Sequence, residues 1–414
     1  MARKINPSFD LCVFIGRFQP FHAGHARVVE EGLRQGRRMV VLVGSANEPR
    51  SFRNPFTAEE RIEMIRSSFN HDSRLVVLPL EDSEYNLNDW LERANRTVEQ
   101  AWSAMCEADS GLPASPTVAL IGHAKDATSY YLNLFPAWGS IAVPQHQVLD
   151  ATDIRKQVFG SLDIIRAPLD AAFTRQLMQW LSEGVDPKEA IDKANDVKMD
   201  QFLDHYTLVA VAGARRFLAD PDGQAMLPSP VRAFLEGFLD TPAYHQMARE
   251  YAFVARYQWA WRLAPYPPQF LTADAVVIKA GHVLMVKRRA FPGKGLWALP
   301  GGFVEKDEPI ETACLRELEE ETALKVPPAV LKGSIRAREV FDAPFRSSRG
   351  RTVTHAFLID LGVGPLPKIK TGGQADDEET FRIAWVPLAR LRRDKCFEDH
   401  YSIIRRMVAQ ANKG

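Results

Sequence analysis

A dense run of ionisable side chains in this 414-residue chain is Arg316-Glu317-Leu318-Glu319-Glu320-Glu321. In a helix, Glu317, Glu320 and Glu321 stand at i, i+3 and i+4, so three carboxylates share one face. Such a face repels itself unless a cation sits on it, which makes the three glutamates candidate metal ligands. Ile310, Cys314 and Leu318, spaced by four, form an opposite apolar stripe that would anchor the helix to a core. A second concentration of chemistry is Gly16-Arg17-Phe18-Gln19-Pro20-Phe21-His22-Ala23-Gly24-His25, placed between an apolar run and a helix-like stretch ending near Leu33. Amides at a helix start favour anions, Gly24 permits close approach, and His22 and His25 can donate hydrogen bonds to phosphate oxygens.

The elements that must position these residues follow from patterning. Continuous apolar runs at 11–15, 39–44, 75–80 and 117–121 alternate with helix-like stretches. That alternation predicts an α/β domain with a doubly wound parallel sheet. Thr57 and Glu60 form a capping box for a helix reaching about Phe69, and Asn86 to Trp90 opens another. From about 165 to 265 the chain reads as helix, with Met247, Tyr251, Val254, Tyr257 and Trp261 on one face, and closes in the stiff Pro265-Tyr266-Pro267-Pro268. Residues 275–278 and 283–286 read as a β-hairpin, and 296–302 as a strand leading into the glutamate helix. The expected domains are therefore 1–164, a helical connector 165–265, and 266–414.

Composition narrows the classes. Lys plus Arg and Asp plus Glu both number 52, so nothing global points to nucleic acid or a membrane surface. No segment has the roughly 18 apolar residues of a membrane span. Four scattered cysteines argue against a zinc site or a disulfide framework and favour a reducing, cytoplasmic setting.

Two families are visible in the motifs. The stretch Gly302–Leu324 resembles the Nudix signature, with five residues between Gly302 and Glu308 and seven between Glu308 and Arg316. The resemblance implies an α/β/α sandwich, a divalent cation (Mg2+ or Mn2+) held by Glu317, Glu320 and Glu321, Glu308 as a further or supporting ligand, and Arg316 orienting the glutamates. Glu320 and Glu321 are the catalytic candidates there. Ala323 stands where the signature has a glycine, which puts the helix end in question. The block Gly16 to His25 resembles the nucleotidyltransferases with a His-x-Gly-His motif, and among them the archaeal-type nicotinamide mononucleotide adenylyltransferases. Asn54-Pro55-Phe56-Thr57 is similar to the same family, and Asp150-Ala151-Thr152-Asp153-Ile154-Arg155 resembles its second motif, with Asp150 in place of a serine.

Carried over residue by residue, the resemblance assigns ATP binding to Gly16, Arg17, Phe18, His22, Gly24, His25, Thr152 and Arg155, of which His22, His25 and Arg155 are the catalytic candidates. Asn88, Trp90 and Lys125 are the candidates for the mononucleotide, Trp90 by stacking on a pyridine ring or, equally in character, as a core residue. In the second domain, Arg346, Arg349 and Arg351 with Phe341 could grip a diphosphate and stack on adenine, or form a basic loop with no ligand. A general base outside the box could come from Asp376, Asp377 or Glu378.

Together the two motif sets resemble a bifunctional enzyme. The first domain would join ATP and nicotinamide mononucleotide into NAD, and the second would cleave ADP-ribose to AMP and ribose 5-phosphate. Two rivals stand beside this: a Nudix domain that senses ADP-ribose or cleaves another nucleoside diphosphate derivative, and an adenylyltransferase for phosphopantetheine. Residues 165–225 match neither motif set, and they leave a helical layer or a homo-oligomer contact open.

Overall fold

In the computed structural model, residues 7–122, 134–144, 150–160, 187–261, 264–369 and 383–411 are described. They fall into two units, 1–251 and 252–414.

The first unit is built on strands buried on both faces. In β1 (Phe9–Gly16) the side chains alternate, so Leu11, Val13 and Ile15 enter one apolar layer while Cys12 and Phe14 enter the other. β2 (Gly36–Val43) splits the same way, with Val40 and Leu42 opposite Met39 and Val41. With β3 (Leu75–Pro79), β4 (Val118–Gly122) and β5 (Gly139–Ala142) these strands form a parallel sheet of order β3-β2-β1-β4-β5. One face is covered by α1 (Ala23–Gln35), α2 (Ala58–Ser68) and α4 (Ala151–Phe159), the other by α3 (Leu87–Ala108). The strand order reverses between β1 and β4, and in such sheets ligands bind beyond the carboxyl ends of the strands at that point. The capping box at α2 is formed: the Thr57 side chain accepts from the Glu60 amide and Glu60 from the Thr57 amide.

Among the described residues that follow are the helices α5 (Pro187–Ala219), α6 (Pro221–Met226), α7 (Ser229–Phe238) and α8 (Pro242–Ala260). Val231, Leu235, Phe238, Tyr244 and Met247 join the same core layer as α1 and α2. The aromatic stripe of α8 is packing, with Tyr251 against Phe52 and Phe159, and Tyr257 and Trp261 against Phe270.

The second unit has a mixed sheet of order β10-β11-β6-β7-β12, formed by β6 (Gln269–Lys279), β7 (His282–Lys287), β10 (Ile335–Phe341), β11 (Arg351–Asp360) and β12 (Ile383–Pro387). Short strands β8 (Trp297–Ala298) and β9 (Gly301–Phe303) pair with β7 and β6. The glutamate helix is α9 (Ile310–Thr322); Ala313, Cys314 and Leu318 bury against Ala275, Val277 and Phe357, and Ile310 packs at the edge of that cluster. α10 (Pro328–Gly333) and α11 (His400–Ala411) complete the unit, the latter buried through Ile403, Ile404 and Met407. All four cysteines are free thiols. No described helix is long and apolar enough to cross a membrane.

Candidate active sites

The first site forms where β1 gives way to α1. His22 is the N-cap of α1, and its Nδ1 accepts the amides of Gly24 (3.1 Å) and His25 (3.4 Å). An accepting Nδ1 puts the ring proton on Nε2, so the neutral side chain still has a donor to offer. The His25 ring stacks on His22 with centroids 3.6 Å apart and meets Phe18 edge-on at 4.9 Å. Phe18 itself is buried in left-handed backbone, φ 51°, and a side chain at Gly16 would strike its ring. That close approach explains the glycine at the strand's end.

Arg155 reaches this loop from α4. Its Nη1 donates to Gln19 O (2.6 Å) and its Nη2 to Thr152 Oγ1 (3.1 Å). Burial, then the charges of Arg17 and Arg53, lower its pKa to about 10, against the opposing pull of Asp150 and Asp153. Arg17 and Arg53 are thus both within electrostatic reach of Arg155, and together they make this loop cationic. Arg53 belongs to this cluster and was not expected from sequence; the signal was its place directly before Asn54-Pro55-Phe56-Thr57. Asp150 caps α4 by accepting the Thr152 amide at 2.8 Å, which accounts for an acid in the serine's position. Asn88 is exposed in the first turn of α3, and Trp90 is half-buried against Phe135. Lys125 lies outside the described residues.

In the second unit the glutamates gather around Arg316. Its guanidinium holds both oxygens of Glu308 (2.6 and 3.1 Å), Glu317 Oε1 (3.0 Å) and Glu320 Oε2 (3.1 Å), and donates to Phe303 O (3.2 Å). This contact depresses the Glu308 pKa. Burial raises that of Glu317 against the pull of Arg316. Glu321 faces the other way: it accepts the Gly301 amide at 3.0 Å, and burial with the nearby charges of Glu317 and Asp274 pushes its pKa up to about 7. A side chain at Gly302 would fall 2.5 Å from Glu317 Oε1, so the glycine admits the carboxylate. Among the described residues no three His, Cys, Asp or Glu side chains converge as a ready-made metal cluster. Arg316 takes up oxygens that a cation would otherwise draw in.

Glu321 lines a cleft of about 290 Å³ with Asp274, Arg288, Gly301, Arg349 and Glu398. The arginine loop contributes unequally to it. Arg346 is locked in a two-point pair with Asp399 (2.8 Å each), both side chains 3% exposed, so it fastens the loop to the start of α11 in place of the expected open grip on a diphosphate. Arg351 turns to Asp342. Phe341 is 2% exposed at the end of β10, a core residue with no face for a base; Phe303 is the aromatic of the cleft. Arg349 lies over the Phe303 ring at 5.1 Å with a buried Nε that has no hydrogen-bond partner, and its charge acts on Glu398 in the same cleft. Buried His400 accepts the Leu299 amide at Nδ1 (2.8 Å) and so ties α11 to the turn before the box. Neither Asp399 nor His400 was singled out from sequence, where their partners lie 53 and 101 residues away. Asp376, Asp377 and Glu378 lie outside the described residues.

Comparisons with known proteins give each unit a family. A cytidylyltransferase-like family model matches residues 13–107, and a NUDIX domain model matches 268–407. A nicotinamide/nicotinic acid mononucleotide adenylyltransferase of Acinetobacter baylyi is 35% identical over 185 residues, 41% of this chain and 93% of that protein. An ADP-ribose pyrophosphatase of Methanocaldococcus jannaschii is 34% identical over 140 residues, 34% of this chain and 76% of that protein. The crystal structure of a bifunctional NMN adenylyltransferase/ADP ribose pyrophosphatase from Francisella tularensis superimposes with a TM-score of 0.74 at 30% identity, covering 97% of this chain and 99% of that one. The same protein complexed with AMP and a manganese ion gives 0.73 at 29% identity. With a curated relative for each half and a solved structure matched end to end, the chain belongs to the family of bifunctional NMN adenylyltransferase/ADP-ribose pyrophosphatases.

Proposed function

We propose that the first unit transfers the adenylyl group of ATP to nicotinamide mononucleotide, giving NAD and pyrophosphate, and that the second hydrolyses ADP-ribose to AMP and ribose 5-phosphate with magnesium or manganese. The observation that carries the reading is the opposite charge of the two sites on one chain, arginines around Gln19 in one and glutamates around Arg316 in the other.

In the first reaction a phosphate oxygen of the mononucleotide attacks the α-phosphorus of ATP in line. A new P–O bond forms as the bond to the bridging oxygen breaks, and pyrophosphate leaves with that electron pair. No protein nucleophile is required; positioning and charge neutralisation suffice. Arg17 and Arg155 neutralise the phosphates, the Nε2 proton of His22 and the ring of His25 supply donors, and the Thr152 hydroxyl beside Arg155 holds the leaving group. Asn88, Trp90 and Lys125 are the proposed contacts of the mononucleotide.

In the second site Glu317, Glu320 and Glu321 offer hard oxygen donors, Glu321 at the cleft, and burial, which raises the pKa values of Glu317 and Glu321, favours a cation that would stabilise their ionised forms. These residues fit a hard divalent cation, with Glu308 holding Arg316 in place. When bound, such a cation screens the diphosphate and acidifies water. Arg349 grips the diphosphate and Phe303 offers a ring face to the ligand.

Incubating the purified chain with ATP and the mononucleotide tests the first activity, and with ADP-ribose and Mg2+ or Mn2+ the second. Formation of NAD and release of AMP are expected. Absence of NAD refutes the first assignment; tight ADP-ribose binding without AMP release makes the second unit a sensor.

A further inference from the structure

On the buried face of α2, which carries Ala58, Met64 and Ile65, one position is charged. Arg61 is 1% exposed, and every hydrogen bond found for it goes to a backbone carbonyl. Nε donates to Thr57 O (3.1 Å), Nη1 to both Arg17 O and Gly44 O (2.6 Å each), and Nη2 to Ser45 O (3.1 Å). The acceptors sit on three separate pieces of chain: the cap of α2, the turn after β1 and the end of β2. Burial pulls the Arg61 pKa down to about 10, and the nearby charge of Asp82 supports the cation. Asp82 is itself bound to the amide and hydroxyl of Ser45.

A planar fork with five donors on three nitrogens meets all four carbonyls, whereas a lysine has three donors on a single nitrogen. The same turn is held from two further directions. The Gln19 side chain pairs with the backbone of Phe56 in both senses (2.9 and 3.0 Å), and Arg155 donates to Gln19 O. The Gly44 amide donates to Gly16 O at 2.8 Å, joining the ends of β1 and β2. With neutral carbonyls as partners, these contacts order the loop without cancelling its positive charge.

We propose that Arg61 is a positioning residue for adenylyl transfer: by holding the carbonyls of Arg17, Gly44 and Ser45 it fixes the turn that carries Arg17, and so where the Arg17 guanidinium meets the ATP phosphates. This rests on the reaction proposed above for the first unit.

The test is a double-mutant cycle on the full chain. Arg61→Lys in the wild-type background should lower kcat for NAD formation by about 100-fold, the scale of an ångström-sized misplacement. ADP-ribose hydrolysis by the same preparation should stay unchanged. In an Arg17→Ala background the same substitution should cost less than about threefold, because the group it positions is gone. Arg61→Gln, a neutral side chain with two donors, should repeat the pattern and serves where the lysine variant unfolds. A kcat within about twofold of wild type for a folded Arg61 variant, or equal losses in both backgrounds, would overturn the proposal. A wild-type chain that forms no NAD refutes the reaction itself; an active wild type beside an unimpaired Arg61→Lys refutes only the role of Arg61.

Discussion

The two sites meet the same problem, the negative charge of a phosphate chain, from opposite starting points. In the first unit Arg155 is paired with a carbonyl and a hydroxyl, neither of which neutralises its charge. In the second, Arg316 is the hub of three carboxylates. A site that brings its own cations can be ordered by neutral partners, whereas a site made of carboxylates needs a borrowed cation before it can approach a diphosphate. The first therefore depends on backbone geometry and the second on metal.

The sharpest way to break that contrast is His25→Ala. Removing a preorganised donor from the first site should reduce NAD synthesis by about 100- to 1000-fold. ADP-ribose cleavage should be untouched. Loss of both activities, followed by steady-state assays on one preparation, would count against two independent sites.

Glu320→Gln should do the converse, lowering ADP-ribose hydrolysis by about 100-fold while NAD formation persists. Glu320 is 58% exposed and its pair with Arg316 lies at the rim, so the substitution should cost under about 1 kcal/mol of stability. Any large loss of turnover is then attributable to the metal face. Hydrolysis at the normal rate would remove Glu320 from it.

A smaller effect separates the sites by their response to pH and cation. The Glu321 carboxyl has a pKa of about 7 in the fold against 4.5 as the ordinary value. Below the ordinary value it is protonated in both states and contributes nothing unfavourable. As pH rises toward 7 the unfolded chain ionises first, so the second unit loses stability across that window, on the order of 3 kcal/mol. A divalent cation favours the ionised form and should reverse the loss. Melting curves should therefore show Mg2+ or Mn2+ raising Tm more at pH 8 than at pH 5, with the difference reduced in Glu321→Gln. A shift equal at both pH values would place Glu321 outside the cation site.

What could be read from the sequence follows the same division. Motifs are local, and local features came through: the capping box at Thr57, the apolar stripe through Cys314 and Leu318, the strands that alternate sides at Leu11 to Ile15. Pairings made by the fold did not. Nothing near Arg346 announces that Asp399 will lock it, and Phe341 looks like a ring free for a base until β10 buries it. Arg61 gave a faint signal, a charge on the buried stripe between Ala58 and Ile65, which the surrounding Arg and Glu residues obscure.

The end of the glutamate helix tests how local the second site is. Ala323 adopts the left-handed cap conformation (φ 43°, ψ 39°), and its amide donates to Glu319 O at 2.7 Å. The cap usually made by glycine is thus formed by alanine at the expense of backbone strain, since a Cβ disfavours this region. Ala323→Gly should relieve the strain, partly offset by the greater freedom of glycine in the unfolded chain, for a net gain of about 0.5 to 1 kcal/mol. Thermal unfolding would read it as a rise of about 1 to 4 °C. Hydrolysis should not change, because Glu317 and Glu321 take their places from Arg316 and the Gly301–Gly302 turn. An altered kcat in the stabilised variant would mean that the carboxylates are set by the helix terminus two residues beyond them, and the second site would then depend on backbone geometry as closely as the first.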